Sequence, residues 1–294
     1  MKKTGLVGVL VLALVMCLSL CACGKSEAAS NVEELISAIG EVSLESKDAI
    51  SSAQEAFDAL SEDEKAEVEN YYMLVESQDT LRKLEEIEVE ETKRANGKEA
   101  YDNIKYAWTI ANQIGTDIYS VWHGWVFEKD DMSSKGLQFF VDKTSLSMDE
   151  IVEGFSAKNY VNEQYAKTGV TWLEIDEDMK QFYRDATIDV FEKASRARQY
   201  VDMNDALGAI VNCFILNGKY ASANEYLETA KQAMKELPED YEYYPELKGF
   251  FTTASALIDF CRSPSGSLNQ FSTLLSDYRK EASEYMNDLD FIFE

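Results

Sequence analysis

Histidine is almost missing: His123 is the only one in 294 residues. A single chain therefore cannot build a two-histidine zinc site or the paired Glu-x-x-His sites of di-iron bundles. Proline occurs 3 times and glycine 14 times, too few for a turn-rich β sandwich. After residue 22 no two glycines are closer than nine positions. That spacing excludes the dinucleotide fingerprint, the P-loop and the Gly-x-Ser-x-Gly elbow, which need backbone amides brought close to phosphate or oxyanion. Positive charge is also scarce, with 28 Lys and Arg against 54 Asp and Glu and a formal charge of −26. Such a chain repels phosphate, so neither nucleic acid nor anionic lipid is an expected partner. Hydrophobic residues still make up 46%, enough for a folded core.

There is one long apolar run. Lys2 and Lys3 precede the uncharged stretch Thr4 to Ala22, which ends in Leu20-Cys21-Ala22-Cys23. This order resembles a bacterial lipobox, with Leu three before the lipidated cysteine and a small residue just before it. Cys21 fits less well, because Leu20 would fill the small position. The resemblance implies a signal peptide over 1–22, diacylglycerol on Cys23, and a tether over 23–30. An uncleaved span or a plain secretory signal are the alternatives. All three place the body outside the cytoplasm, and the lipoprotein reading places it on the outer face of the cytoplasmic membrane. Loss of residues 1–22 removes two lysines and no acids, taking the charge from −26 to −28.

The body reads as all-α, with a small N-terminal bundle over 31–90 and a larger helical domain over 97–294. Val32, Leu35, Ile36 and Ile39 have helical spacing and Gly40 is a natural stop. Ile50, Ala53, Phe57 and Leu60 form a second stripe. Ser61 with Glu64 is a capping box. Val68, Tyr71, Leu74, Val75, Leu81 and Leu84 continue the apolar face, with a break expected at Asn70. Glu85–Glu91 is expected to be a solvated helical linker, with the domain boundary near 88–97.

In the larger part, Ile104, Trp108, Ala111, Gly115, Ile118, Trp122 and Trp125 mark one face of a long helix. Residues 130–145 are expected to be a loop, with an extended run at 137–141. Ser147 and Glu150 form another capping box, opening a helix that ends near Gly169. Further helices are expected from Trp172 toward Tyr200, from Asn204 to Leu216, from Ala221 to Leu237, from Pro245 to Cys261 and from Leu268 to about Leu289. No βαβ alternation appears, which disfavours a two-lobed solute-binding fold.

Three resemblances bear on the two parts. The stretch 32–84, with Ala56-Phe57-Asp58-Ala59-Leu60-Ser61 at its centre and Glu64-Lys65-Ala66 toward its end, is similar to a helical module of Gram-positive surface proteins. It implies a spacer or interaction bundle. Gly218-Lys219-Tyr220-Ala221-Ser222-Ala223, with Tyr226 and Ala230, resembles the turn of a tetratricopeptide repeat, without a 34-residue period behind it. Tyr241 through Gly266 is similar to uncharacterised Firmicutes-type lipoproteins, a resemblance that implies no activity.

No catalytic constellation is expected, nor any metal or cofactor. Ser120 lies one helical turn before His123, but one helix rarely aims both groups at a substrate. The candidate interaction residues are Trp108, Trp122, His123, Trp125, Tyr241, Tyr243 and Tyr244, since Trp and Tyr favour binding hot spots; packing in the core is the competing reading. Cys213 and Cys261 could form a disulfide or remain separate buried thiols. The expected function is non-enzymatic: an envelope lipoprotein, membrane-held through Cys23, that binds or scaffolds another envelope protein. A helical receptor for a small molecule or peptide is the alternative, and it would favour a cavity beside the Trp helix.

Overall fold

The computed structural model describes residues 25–294. The expected signal peptide over 1–22 and the expected lipidation site Cys23 lie outside the described residues. Among the described residues there are helices and no strand, and none of these helices is long and apolar enough to cross a membrane. The chain forms two compact units, divided between Thr92 and Lys93.

Unit 1 starts with α1, Glu27–Ile39. Ser26 caps it by accepting from Ala29 N, and Ser26 N donates to Glu67 Oε2 at 2.6 Å. The tether expected to reach Ser30 is therefore ordered helix from Glu27, because Ala29 and Val32 are buried on its inner face. Gly40 ends α1 at φ +63° and ψ −139°, a region open in practice only to glycine. A short 3₁₀ turn leads into α2, Lys47–Asp58. Ser61 and Glu64 then close a capping box on α3, Glu62–Glu67: Glu64 N donates to Ser61 Oγ and Ser61 N donates to Glu64 Oε2. The break expected at Asn70 is present. Asn70 Nδ2 donates to Glu33 O at 3.0 Å and to Ser37 Oγ at 3.1 Å, tying the break to α1. Phe57 and Tyr71 stack with ring centroids 3.9 Å apart.

The next helix, α4, runs from Tyr71 to Phe127 and contributes to both units. Its acidic stretch is exposed from Glu86 to Glu90. Asn96-Gly97 does not interrupt it. Gly97 instead makes room: a Cβ there would lie 2.9 Å from Tyr241 Oη and 3.0 Å from Phe293 Cζ.

Unit 2 continues with α5, Lys129–Lys135, and α6, Leu137–Lys143. The expected loop and extended run at 130–145 are thus two short helices, split at Gly136 with φ +58°. Phe139 and Phe140 decide this, because both are buried and a helix can turn adjacent residues toward one core. The Ser147–Glu150 capping box opens α7, Met148–Tyr160. A π-helical turn over Val161–Tyr165 and a last turn over Ala166–Thr168 extend it to Gly169, which is left-handed.

The helix expected from Trp172 begins later. Thr171 N donates to Glu174 Oε2 in a turn, Trp172 points inward, and Asp176 caps α8, Glu177–Ala197. Then come α9, Met203–Leu216, α10, Lys219–Lys235, α11, Tyr244–Arg262, and α12, Leu268–Phe293. The Gly218 turn between α9 and α10 has φ +81° and joins a single helical hairpin.

The unit 2 core gathers around α4. Arg279 on α12 donates to Asn112 Oδ1 and Thr116 Oγ1, both at 2.7 Å. Buried Asp117 accepts from Gln113 Nε2, Ser145 N and Ser145 Oγ. At the chain end Lys105 pairs with Asp290 and Glu294, and Tyr101 donates to Asp290.

Candidate functional site

The tryptophans expected to offer a binding face are mostly structural. Trp108 and Trp122 lie in the core, near Phe250 and Phe271 respectively. Their spacing marks the side of α4 that meets α11 and α12, so neither reaches a partner. Trp125 is half-buried; its Nε1 donates to Val201 O at 2.9 Å and Lys129 Nζ sits 4.3 Å from its ring. That anchors the segment leaving α8. Tyr241, Tyr243 and Tyr244 pack against the core edge, Tyr241 edge-on to Tyr243 and Tyr243 edge-on to Phe293.

His123 is half-buried, with a side chain 42% accessible and Nδ1 3.8 Å from Glu128 Oε1. Tyr119 and Phe127 flank its ring on the same helix face. Ser120 Oγ donates to Thr116 O at 2.8 Å, so it is a helix back-bond and not a partner of His123.

Cys213 and Cys261 are both buried and unpaired, so of the two readings the separate buried thiols hold and the disulfide does not. Their neighbours explain it. Cys213 Sγ fills the space that a Cβ on Gly154 would take, between α7 and α9. Cys261 Sγ sits 3.9 Å from Ala111 O, against α4. Burial pushes both thiols up to about 12, so neither is a thiolate at neutral pH.

The open feature of unit 2 is elsewhere. A cleft of about 1030 Å³ runs between α8 on one side and α6 and the start of α7 on the other. Val152, Phe191, Cys213 and Leu216 line its apolar part. Leu173, Ile188 and Met148 also line it and are exposed, Leu173 at 70%. Leaving such side chains in water forgoes burial free energy of ~1.5–3 kcal/mol each.

Close helix packing places the cleft wall. A Cβ on Gly154 would lie 2.1 Å from Cys213 Sγ and 2.6 Å from Ala209 O, so only glycine lets α7 and α9 approach this closely. Phe140, Phe155 and Phe191 meet edge-on beneath the cleft. Ser156 Oγ donates to Thr187 Oγ1 at 3.1 Å, joining α7 to α8 in the interior.

Much of the charged lining is paired, most firmly at Arg184. Arg184 Nε donates to Glu153 Oε2 at 2.6 Å and its Nη1 to Glu177 Oε1 at 2.8 Å. The second Glu153 oxygen accepts from Trp172 Nε1 at 2.8 Å. Arg196 pairs with Glu192 at 3.0 Å, and Lys135 with Asp131 and Asp142, both at 3.3 Å. Burial works to raise the Glu150 carboxyl, but hydrogen bonds from Ser147 and Asn217 outweigh it and hold the group below its ordinary value. Glu150 is thus a fixed anion and no proton donor. Among the described residues no group of three or more His, Cys, Asp and Glu is placed to hold a metal ion.

None of the cleft residues was among the sequence candidates except Cys213. One signal was available: α8 carries more apolar residues than one buried face needs. Tyr183, Thr187 and Phe191 face inward, while Phe182, Ile188 and Val190 are exposed. No protein-family model, no curated protein and no solved structure matches this chain.

Proposed function

We propose that this chain is an envelope lipoprotein that binds a partner and carries out no chemistry of its own. Lipid on Cys23 would hold it at the outer face of the cytoplasmic membrane. Only Gly24 and Lys25 separate Cys23 from the Ser26 cap, so unit 1 would begin within ~10 Å of the lipidated residue. Unit 1 then serves as a membrane-proximal spacer.

The cleft in unit 2 carries the binding reading. It combines an apolar floor with charged groups held in place, the combination by which binding sites orient a ligand. It holds no histidine, its thiol stays protonated, and its arginines are occupied by carboxylates. Those features favour recognition over catalysis. They also move the expected interaction surface from the Trp side chains of α4 and the tyrosines at the entry to α11 to α7 and α8.

Two measurements test the proposal. Metabolic labelling with a fatty acid should mark the wild-type chain and not Cys23→Ala; equal labelling of both would remove the lipid anchor. A photo-crosslinking residue at Leu173 should give a discrete adduct in intact cells. The same residue at Phe291, 93% exposed and outside the cleft, should not. Identical adducts from the two positions would end the cleft as the binding surface.

A further inference from the structure

We propose that unit 1 stands on end on an anionic leaflet, with the lipid at one end of its helix bundle and the onward chain leaving at the other. Unit 1 is then a riser of fixed height. The inference rests on lipid at Cys23.

The chain is caught almost at once. Lys25 pairs with Glu33, and Ser26 N donates to Glu67 Oε2 at 2.6 Å. Only Gly24 separates Lys25 from Cys23, so the lipidated Cα lies within ~8 Å of a residue that the bundle already holds. That slack is too short to let the lipid reach the far end of unit 1.

Cross-links between helices give the bundle its direction. Glu67 meets Ser26 at the start of α1, Glu69 N donates to Glu33 Oε1 at 2.7 Å, and Asn70 reaches Ser37. The chain entering α4 therefore climbs beside α1 in the same direction. α2 comes back the other way. Lys47 at its start pairs with Glu85 at 2.8 Å, Gln54 accepts from Gln78 Nε2 at 2.7 Å, and Phe57 near its end stacks on Tyr71. Ser26, Glu67 and Tyr71 thus share the lipid end, while Gly40, Lys47 and Glu85 share the opposite end. From Tyr71 to Thr92, where unit 1 ends, α4 rises ~32 Å at ~1.5 Å per residue.

Charge sets the posture. Residues 25–92 carry 20 acids and 5 bases. An anionic leaflet repels such a bundle, and its field fades over ~8 Å at physiological salt. Upright, the bundle keeps the exposed Glu41, Glu45, Glu86 and Glu88 beyond that range. Lying flat, it would bring acids along its whole length into the field. The exposed Tyr72, Met73 and Val75 are apolar groups that a flat posture would cover, so position 72 reports on it.

The test uses the mature chain, residues 23–294. Burial pushes the Cys213 and Cys261 thiols up to about 12, so a maleimide phospholipid couples to Cys23 alone. The coupled chain is placed on vesicles containing phosphatidylglycerol and a lipid with a nitroxide on its headgroup. A fluorescent residue replaces Ala66, Tyr72 or Ile87 in turn. Ala66 is exposed beside Glu67, and Ile87 is exposed two positions past Glu85. Quenching at 66 should be at least fivefold that at 87, with 72 between them. Ile36→Ala, with loss of unit 1 helix confirmed by circular dichroism, should lower quenching at 66 at least threefold. Position 66 lies 43 residues from Cys23 along the chain, and only the folded bundle brings it to the lipid.

Equal quenching at 66 and 87, or the strongest quenching at 72, would overturn the proposal. So would quenching at 66 that survives the unfolding of unit 1. Chemical coupling bypasses lipidation in the cell, so these results sink this inference alone. Equal fatty-acid labelling of wild type and Cys23→Ala would sink the lipid anchor and this inference with it.

Discussion

Unit 1 and unit 2 are both built of helices, but their cores differ in kind. The buried apolar set of unit 1 is Ala, Val, Ile and Leu only, ten residues, and its one aromatic pair, Phe57 on Tyr71, sits at the edge. The main core of unit 2 has 42 buried residues, twelve of them aromatic. Large rings bury ~150–250 Å² each, so the second unit gains far more from burial per helix. Unit 1 compensates with local devices: the Ser26 cap, the Ser61–Glu64 box, and the Asn70 side chain bonded to α1. A small core with good caps folds, but it has little to lose.

All four tryptophans belong to unit 2, so indole fluorescence follows that unit alone while far-UV circular dichroism follows both. Unit 1 should melt first, as a dichroism change without a fluorescence change. Ile36→Ala should break the comparison most sharply. Ile36 is 2% exposed, and its truncation should cost about 4 kcal/mol, enough to abolish the first transition and leave the indole transition in place. A shift in both transitions would mean the units unfold together.

Gly154→Ala should act on the other unit. Its Cβ meets Cys213 Sγ and the Ala209 carbonyl, and relief by backbone movement should cost about 3 kcal/mol. The indole transition should fall while the first stays put. An unshifted indole melt would show that α7 and α9 separate at little cost.

Glu150→Gln should cost about 1.5 kcal/mol at neutral pH, the low end for a hydrogen bond to a charged group. The sign of its pH dependence follows from the direction of the shift. The folded carboxyl lies below the 4.5 of the unfolded chain. Its stabilisation is therefore complete above that value and disappears as pH falls through the folded value. Denaturation at pH 7 and pH 3 should give a larger difference between wild type and variant at the higher pH; a constant difference would assign the effect to packing.

The smallest change has the opposite sign. Arg198 ends α8 at φ +52°, the only non-glycine with positive φ among the described residues. Arg198→Gly should stabilise unit 2 by roughly 0.5–1 kcal/mol, read as a modest rise in the indole midpoint. A fall would show that the Arg198 side chain holds the segment toward Val201 and Trp125.

The regular parts were readable because their causes are local. Ser61, Ser147 and Ser267 each find an acceptor or donor three residues on, and a spacing of three is visible in any sequence. The apolar stripe from Ile104 to Trp122 is likewise a property of one helix. Where two local signals competed, reading failed. Adjacent apolar residues at 137–141 suit a strand as well as a short helix, and only the burial of both Phe139 and Phe140, Phe140 edge-on to Phe155 and Phe191, decides. Gly97 has the composition of a stop, yet it is the space required by Tyr241 and Phe293, which lie far along the chain.

By itself the sequence determined the helical class, the caps and the acidic surface, since each depends on residues within one or two turns or on composition alone. Tertiary structure decided which aromatics are core, why Cys213 and Cys261 stay apart, and where the cleft opens. Those depend on how closely helices distant in sequence approach, and that distance is set by single contacts such as Gly154 against Cys213.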